Sequence, residues 1–256
     1  MKKALALLLV VCMLLSLAAC GAKTGPAPAA TAAPAQADSG ETAAASALDS
    51  LAPVNLTFST QASQDVEYVK AMYRVQEKIA DRSGGKLTLT IHDNGSLMTQ
   101  EGEIDACARG TLDMYFSSPF LISNQLDYLS MFTAAYIYKD ADHMLKVWNG
   151  DIGKKVIEDV ADKCSVRWLS FIYCGSRHLL LRDIGKEVHT PEDMSGVNLR
   201  MPNSDAWLFM GKALGANPTP MAFAEVYTGL QTGAIDGQEN PLQTDIAQKW
   251  YEVSSQ

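Results

Sequence analysis

The chain has 256 residues, of which 47% are hydrophobic, and it carries a formal net charge of −8. This length and apolar content are sufficient for a globular body with a large core. The acidic balance argues against nucleic acid and anionic lipid headgroups as partners, because both require a basic face. It also implies that any site for an anion depends on a few well-placed arginines.

The N-terminal segment has the pattern of a secretory signal peptide. An apolar run at residues 4–19 follows Lys2 and Lys3 and is interrupted only by Ser16. Because this run is shorter than the about 20 residues that a membrane span needs, we predict that residues 1–19 are a cleaved signal. Removal of the two lysines would change the net charge from −8 to −10.

The predicted signal ends in Leu-Ala-Ala-Cys-Gly, which resembles a bacterial lipobox. That resemblance implies cleavage before Cys20 and lipidation of this cysteine. The alternative is an ordinary signal peptide that happens to contain a cysteine. The Ala- and Pro-rich residues 20–53 contain few large apolar side chains, so they are predicted to be a disordered tether.

Residues 54–175 are predicted to form a first α/β lobe. Alternating apolar residues predict strands at 54–60, 87–91 and 112–116, with helices between them. The order β-α-β-α-β with short connections predicts a parallel sheet. Residues 134–163 have a mostly helical pattern that Asn149-Gly150 interrupts. The apolar run from Val166 to Tyr173 predicts a strand that is buried on both faces.

No catalytic or metal-binding pattern is found in the sequence. Glu101, Glu103 and Asp105 could suggest an acid/base pair, but no nucleophile or metal partner is near them, so a solvated helix face is the prediction. The histidines and cysteines lack metal-ligand spacing, so no cofactor is expected. Cys107, Cys164 and Cys174 are interpreted as small core residues, with a Cys164–Cys174 disulfide as the alternative.

Residues 176–256 are predicted to form a second α/β lobe. Arg177 stands on a strand with Leu179 and Leu181, either as a surface charge or as a charge in a cleft. Arg200 lies near the end of a strand at 197–201.

Asn203 is a good N-cap for the helix that follows this strand and ends at Gly215. Pro218–Met221 is predicted to be extended, a second helix to cover about 223–231, and Asp236-Gly237 to form a turn. Pro241 suits the first turn of a long helix. Arg200, Phe223 and Asn240 thus lie at ends of elements, where α/β folds place ligand-binding groups.

Three segments carry a close resemblance to a known family: LRMPN (199–203), LGANPTPMAFAEVYTGLQTGAIDGQENP (214–241) and QKWYEV (248–253). They resemble the DctP-like substrate-binding proteins of tripartite ATP-independent periplasmic (TRAP) transporters. The resemblance extends, with less identity, back to about Val54. It implies a two-lobed, periplasmic-binding-protein-like (Venus flytrap) α/β fold. Members of the family continue for several dozen residues beyond the position that corresponds to Gln256, and those residues lead the chain back from the second lobe to complete the first. We therefore expect this returning segment to be missing here.

The resemblance also implies a function and a site. The protein would be a receptor on the outer face of the cytoplasmic membrane, or in the periplasm, that delivers a small organic acid to a TRAP permease without catalysis or cofactor. Arg200 would bind the ligand carboxylate bidentately and Arg177 would assist. Asn240 would add an amide donor, and Phe223 would form either an apolar wall or part of the core. The set of ligand-binding residues also includes Asn203.

Two positions in the first lobe depart from the family pattern. Gln100 and Ser118 stand where some members have acidic residues. The far end of the pocket is therefore expected to be polar and uncharged, which leaves C4-dicarboxylates and sugar acids open as ligands. Glu225 and Glu239 are expected to pair within the scaffold, because a like charge would repel an anion.

Two other functions compete with this interpretation. A receptor that serves a sensor kinase would have the same pocket, and only its docking partner would distinguish it. A secreted hydrolase would need a nucleophile–base pair or a set of metal ligands, and the sequence offers neither.

Overall fold

The computed structural model describes residues 52–256. The predicted signal peptide, Cys20 and nearly all of the predicted tether lie outside these residues. Within residues 52–256, no helix combines the length and apolar character needed to cross a bilayer.

Three parallel strands form the first sheet. Strand β1 (Val54–Ser59) lies between β2 (Leu87–His92) and β3 (Met114–Tyr115). Helices α1 (Glu67–Arg82) and α2 (Gln100–Arg109) make the crossovers. The predicted parallel β-α-β-α-β unit is confirmed, although β3 is shorter than predicted.

Helical segments follow β3. Two 3-10 helices, Pro119–Ile122 and Asp127–Thr133, precede α3 (Ala141–Asn149) and α4 (Asp151–Cys164). Gly150 separates α3 from α4, as the sequence predicted. A side chain at this position would not fit, because a Cβ would lie 2.7 Å from the carbonyl oxygen of Lys146.

The prediction of a buried strand from Val166 to Tyr173 is wrong. The segment is neither helix nor strand, and Leu169 is 74% exposed. No strand of the described residues pairs with it. Instead, Trp168 and Phe171 pack on Trp148 of α3, with ring centroids 5.8 and 4.5 Å from it. The apolar run therefore reflects aromatic packing against a helix.

Four strands form the second sheet, in the order β4-β7-β5-β6. They are β4 (Arg177–Leu181), β5 (Asn198–Met201), β6 (Asn217–Pro220) and β7 (Gly237–Pro241). Strands β4 and β7 are antiparallel, whereas β5 runs parallel to both β6 and β7. Gly237 permits the close approach of β7 to β4, since a Cβ there would collide with the side chain of Leu181.

Two predictions around β7 are wrong. Asp236 is a bend, but Gly237 already belongs to β7, so the predicted Asp236-Gly237 turn is not formed as such. The Asp236 carboxylate accepts from the Arg182 guanidinium and from the amide of Asn198, so it connects the end of β4 to β5. Asn240 and Pro241 end a strand rather than begin a long helix, because residues 237–241 find a partner in β4. The helix α7 (Leu242–Ala247) that follows has six residues.

The remaining helices lie close to their predicted positions. Helix α5 (Asp205–Ala213) follows β5, and α6 (Val226–Thr232) follows the 3-10 turn Phe223–Glu225. The prediction that Asn203 caps α5 is wrong, because the cap residue is Ser204 and its side chain makes no capping hydrogen bond. Two further 3-10 helices cover Pro191–Met194 and Trp250–Val253.

The main core joins helical segments of the first part of the chain to the second sheet. Leu129 and Val160 are fully buried together with Leu181, Leu199 and Met201 from β4 and β5. Cys107, Cys164 and Cys174 are free, so the alternative disulfide is not formed. This core fixes the strand ends that surround the site.

Candidate ligand-binding site

A cavity lies where the strands of both sheets end. The segment after β1 contributes Thr60 and Gln61, and the segment after β3 contributes Ser117 and Ser118. The second sheet contributes, among others, Arg177, Arg200 and Asn240. Ligands bind beyond the carboxyl ends of parallel strands because loops and helix starts present polar groups there.

Arg200 is a buried cation in the wall of this cavity. It is 3% exposed, and its Nε donates to the carbonyl oxygen of Met221 at 3.0 Å. Among the ion pairs of residues 52–256, none involves Arg200. Burial lowers its pKa to about 10, an effect that the charge of Glu239 partly opposes. The guanidinium is therefore still charged at neutral pH, without a carboxylate against it.

Arg177 has a different environment. Its Nε and one terminal nitrogen donate to both carboxylate oxygens of Glu239, and the same nitrogen reaches the Glu239 carbonyl oxygen at 2.8 Å. Its guanidinium carbon lies 4.6 Å from the ring centroid of Trp207, a cation–π distance. The prediction that Glu239 pairs within the scaffold is confirmed, and the charge of Arg177 is neutralised there.

Asn240 belongs to a chain of buried polar side chains. Its Oδ1 accepts from Arg177 at 3.1 Å, and its Nδ2 donates to Gln238 Oε1 at 2.6 Å. Gln238 Nε2 in turn donates to Asp245 Oδ1 at 2.9 Å. Burial raises the pKa of the Asp245 carboxyl to about 6. This chain fixes the orientation of the Asn240 amide and leaves one of its N–H groups uncommitted.

Aromatic rings form the apolar part of the cavity wall. Phe223 lines the cavity and also packs on Trp250, with 5.2 Å between ring centroids. It therefore satisfies both interpretations left open by the sequence, a cavity wall and a core residue. Tyr68 and Phe116 line the cavity as a stacked pair with centroids 4.2 Å apart. Sequence reasoning missed this second pair because its members come from distant segments.

The first-sheet side of the cavity carries no charged side chain, and beside its aromatic rings it presents polar groups. Gln100 and Ser118 both line it, next to Thr60, Gln61 and Ser117. Sequence reasoning missed Gln61, although its place directly after β1 was a usable signal. The interpretation of Glu103 as solvated is wrong: α2 turns its side chain inward, and it is 0% exposed.

The cavity thus brings together six of the predicted site residues and excludes one. It contains Arg200, Arg177, Asn240, Phe223, Ser118 and Gln100. Asn203 is exposed and lines a second cavity, beside Asp127 and Asp205. Asn203 lies two residues beyond the end of β5 and directly before Ser204, the cap residue of α5. The predicted lipidation residue Cys20 lies outside the described residues.

The two sheets and the cavity at their strand ends define a two-lobed α/β binding protein. The family model of the bacterial extracellular solute-binding proteins, family 7 (DctP), matches residues 58–256. The chain belongs to this family, and the predicted fold class and family are confirmed.

Individual relatives give the same result. A solute-binding protein of Roseobacter denitrificans is 34% identical over 67% of this chain and 52% of its own. The sialic acid-binding periplasmic protein SiaP of Vibrio cholerae is 32% identical, over 79% of this chain and 62% of its own. The chain therefore spans about half to three-fifths of the length of these relatives.

A crystal structure shows the same fold. A TRAP periplasmic solute-binding protein of Roseobacter denitrificans, solved with bound 3-deoxy-D-manno-oct-2-ulosonic acid, matches with a TM-score of 0.74 and 41% identity. The match covers 79% of this chain and 66% of that one.

Proposed function

We propose that this protein is an extracytoplasmic solute receptor that binds a small organic acid, a C4-dicarboxylate or a sugar acid, and delivers it to a TRAP-type permease. The observation that carries the proposal is Arg200, a buried guanidinium without a carboxylate partner among residues 52–256. Burying a charge is costly unless it is paired, so such a group is expected where a ligand provides the counter-charge.

The geometry around Arg200 suits a carboxylate. A guanidinium can donate two parallel hydrogen bonds to one carboxylate, and Arg200 has committed only its Nε to the scaffold. Phe223 excludes water beside it, which strengthens the pair. The uncommitted N–H of Asn240 can donate to the same ligand. Relatives support this reading, since two of those compared bind, by their names, a sialic acid and an octulosonic acid.

The proposal includes an arrangement at the membrane. The lipobox-like sequence before Cys20 supports lipidation, and residues 20–53 would then tether the folded part to the outer face of the membrane. The proposal assigns no catalytic step and no cofactor to the chain.

Isothermal titration calorimetry of Arg200→Lys tests the proposal. A thermal-shift screen with dicarboxylates, aldonates and uronates first identifies the best probe, since a ligand at 100 times its Kd stabilises by about 2.7 kcal/mol. Lysine keeps the positive charge but lacks the planar guanidinium that donates two parallel hydrogen bonds. Arg200→Lys should therefore lose about 2–5 kcal/mol of binding free energy. This corresponds to roughly 1.5 to 3.5 decades in Kd.

Two other arginines serve as controls. Arg177→Lys should do less damage, because Glu239 already holds Arg177. Arg182→Lys is the matched control directly after β4: Arg182 is paired with Asp236, and it does not line the cavity. Binding of the best probe by Arg200→Lys within threefold of the wild type would show that the carboxylate sits elsewhere.

A further inference from the structure

Gln61 is held in one orientation by the protein around it. Its Nε2 donates to the carbonyl oxygen of Met98 at 2.8 Å and to Glu103 Oε1 at 3.0 Å. Both N–H groups of the amide are thereby used. A flipped amide would place its oxygen against these two acceptors, so the observed orientation is the one that the surroundings permit.

Glu103 provides one of the two acceptors from a fully buried position. Its Oε1 also accepts from the hydroxyl of Ser59 at 2.8 Å, while its Oε2 is buried and has no hydrogen-bond partner among the described residues. Burial raises the pKa of this carboxyl to about 7. A half-satisfied carboxyl is costly in a core, which suggests a role other than stability.

The oxygen of Gln61 remains available as a hydrogen-bond acceptor. No hydrogen bond to Gln61 Oε1 is formed within residues 52–256, and Gln61 lines the cavity. Gly95 leaves room for this oxygen, because a Cβ at that position would lie 2.8 Å from it. A carbonyl oxygen accepts hydrogen bonds and does not donate them. A ligand group that forms a hydrogen bond with Gln61 Oε1 therefore has to be a donor.

The charged residues that line the cavity also favour a hydrogen-bond donor, and not a second carboxylate, near Gln61. Of the lining residues, Arg177 and Arg200 are the cations, and Glu239 neutralises the first of them. One uncompensated positive charge suits one carboxylate. A second carboxylate at the first-sheet end would meet the oxygen of Gln61, with Glu103 behind it, and no cation to receive it.

We propose that Glu103 is a positioning residue that holds Gln61 with its carbonyl oxygen toward the cavity, so that the site selects a monocarboxylate bearing a hydroxyl group over a dicarboxylate. The hydroxyl donates to Gln61 Oε1 while the carboxylate pairs with Arg200. This inference rests on the proposed function, since it needs Arg200 to receive the ligand's carboxylate.

Calorimetric titration with a fixed set of probes tests the selectivity. The hydroxylated monocarboxylates are glycerate, erythronate, galactonate and glucuronate, and the dicarboxylates are succinate and glutarate. The wild type should bind its best hydroxylated probe at least tenfold more tightly than either dicarboxylate, a ratio of the size expected for one well-formed buried hydrogen bond. Tighter binding of succinate or glutarate would overturn the inference and leave the proposed function intact. Failure of every probe to bind would contradict the proposed function itself.

Three variants test the positioning role. Gln61→Leu removes the acceptor and Glu103→Leu removes the group that orients it, so each should lower the preference for the hydroxylated probe about tenfold. Glu103→Gln keeps a carbonyl oxygen that can accept from Ser59 and Gln61, so it should retain most of that preference. If Glu103 had a purely structural role, Glu103→Leu would weaken the binding of all probes equally. An unchanged ratio of the affinities for the hydroxylated probe and the dicarboxylates in Glu103→Leu would overturn the proposal. Melting curves of each variant confirm that the comparison is made between folded proteins.

Discussion

Replacement of Arg200 by methionine should stabilise the ligand-free protein while it abolishes binding. Burial lowers the pKa of Arg200 from 12.5 to about 10. The folded state therefore disfavours the charged form, and below pH 10 the folded protein bears that cost in full. A pKa difference of this size corresponds to about 3 kcal/mol.

The expected gain in the free energy of unfolding is smaller than this cost of burying the charge. Methionine occupies much of the volume of the arginine stem but loses the hydrogen bond from Nε to Met221, which is worth about 1 kcal/mol. The net stabilisation should thus be about 2 kcal/mol, which for a protein of this size raises the melting temperature by roughly 4–8 °C. Addition of the best probe from the screen should not raise the melting temperature of Arg200→Met further.

Denaturant unfolding and thermal melts of the ligand-free proteins measure this effect. Arg182→Met is the control of opposite sign, because it leaves the half-buried carboxylate of Asp236 without its partner and should lower stability. If Arg200→Met melted below the wild type without ligand, the charge of Arg200 would be compensated inside the protein. Arg200 would then not need a ligand's carboxylate as its counter-charge.

Four further predictions concern other parts of the chain. Since burial raises the pKa of Glu103 from 4.5 to about 7, its stabilising contribution is complete below pH 4.5 and is lost as the pH rises through 7. Unfolding measurements should show wild-type stability falling relative to Glu103→Gln by up to about 3 kcal/mol between pH 5 and pH 9. Glu239→Gln should release Arg177 and tighten succinate relative to galactonate in calorimetric titrations; an unchanged ratio would contradict the charge argument. Leu181→Ala should cost about 2–5 kcal/mol in denaturant unfolding, since Leu181 is fully buried. Cys20→Ala should move the protein from the membrane fraction to the soluble one, and its retention in membranes would contradict lipidation.

The elements that the sequence predicted well are those whose pattern is local. The period-2 alternation in β1 and β2 and the bounds of α2 at Gln100–Arg109 follow from short windows, and the structure confirms them. Arg200 was found because it lies near the end of a strand and within the LRMPN segment that resembles the family. Its lack of an ion pair could not be read from the sequence, because it depends on Glu239 having a different partner.

The wrong predictions have a common physical origin in long-range pairing. Residues 236–241 contain an Asp-Gly pair and a proline that suggest a turn and a helix start, but strand β4, about 60 residues earlier in the chain, supplies the backbone partner of residues 237–241. Glu103 has acidic neighbours that are exposed, yet Ser59 and Gln61 provide hydrogen bonds that make its burial tolerable. In both cases the deciding group is distant in sequence.

The amides of Asn240 and Gln61 constrain the orientation in which a ligand can bind in the cavity. In the chain from Arg177 through Asn240 and Gln238 to Asp245, the Asn240 oxygen accepts from Arg177, and one N–H of Asn240 remains free to donate to a ligand. Gln61 has both N–H groups turned to the protein and can offer only its oxygen. An organic acid placed with its carboxylate at the Asn240 side satisfies both amides, whereas the reversed molecule would set its carboxylate against the Gln61 oxygen. Glu103 orients the Gln61 amide directly, and Asp245 orients the Asn240 amide through Gln238. On the proposed function, these two buried carboxyls give the cavity a single binding orientation.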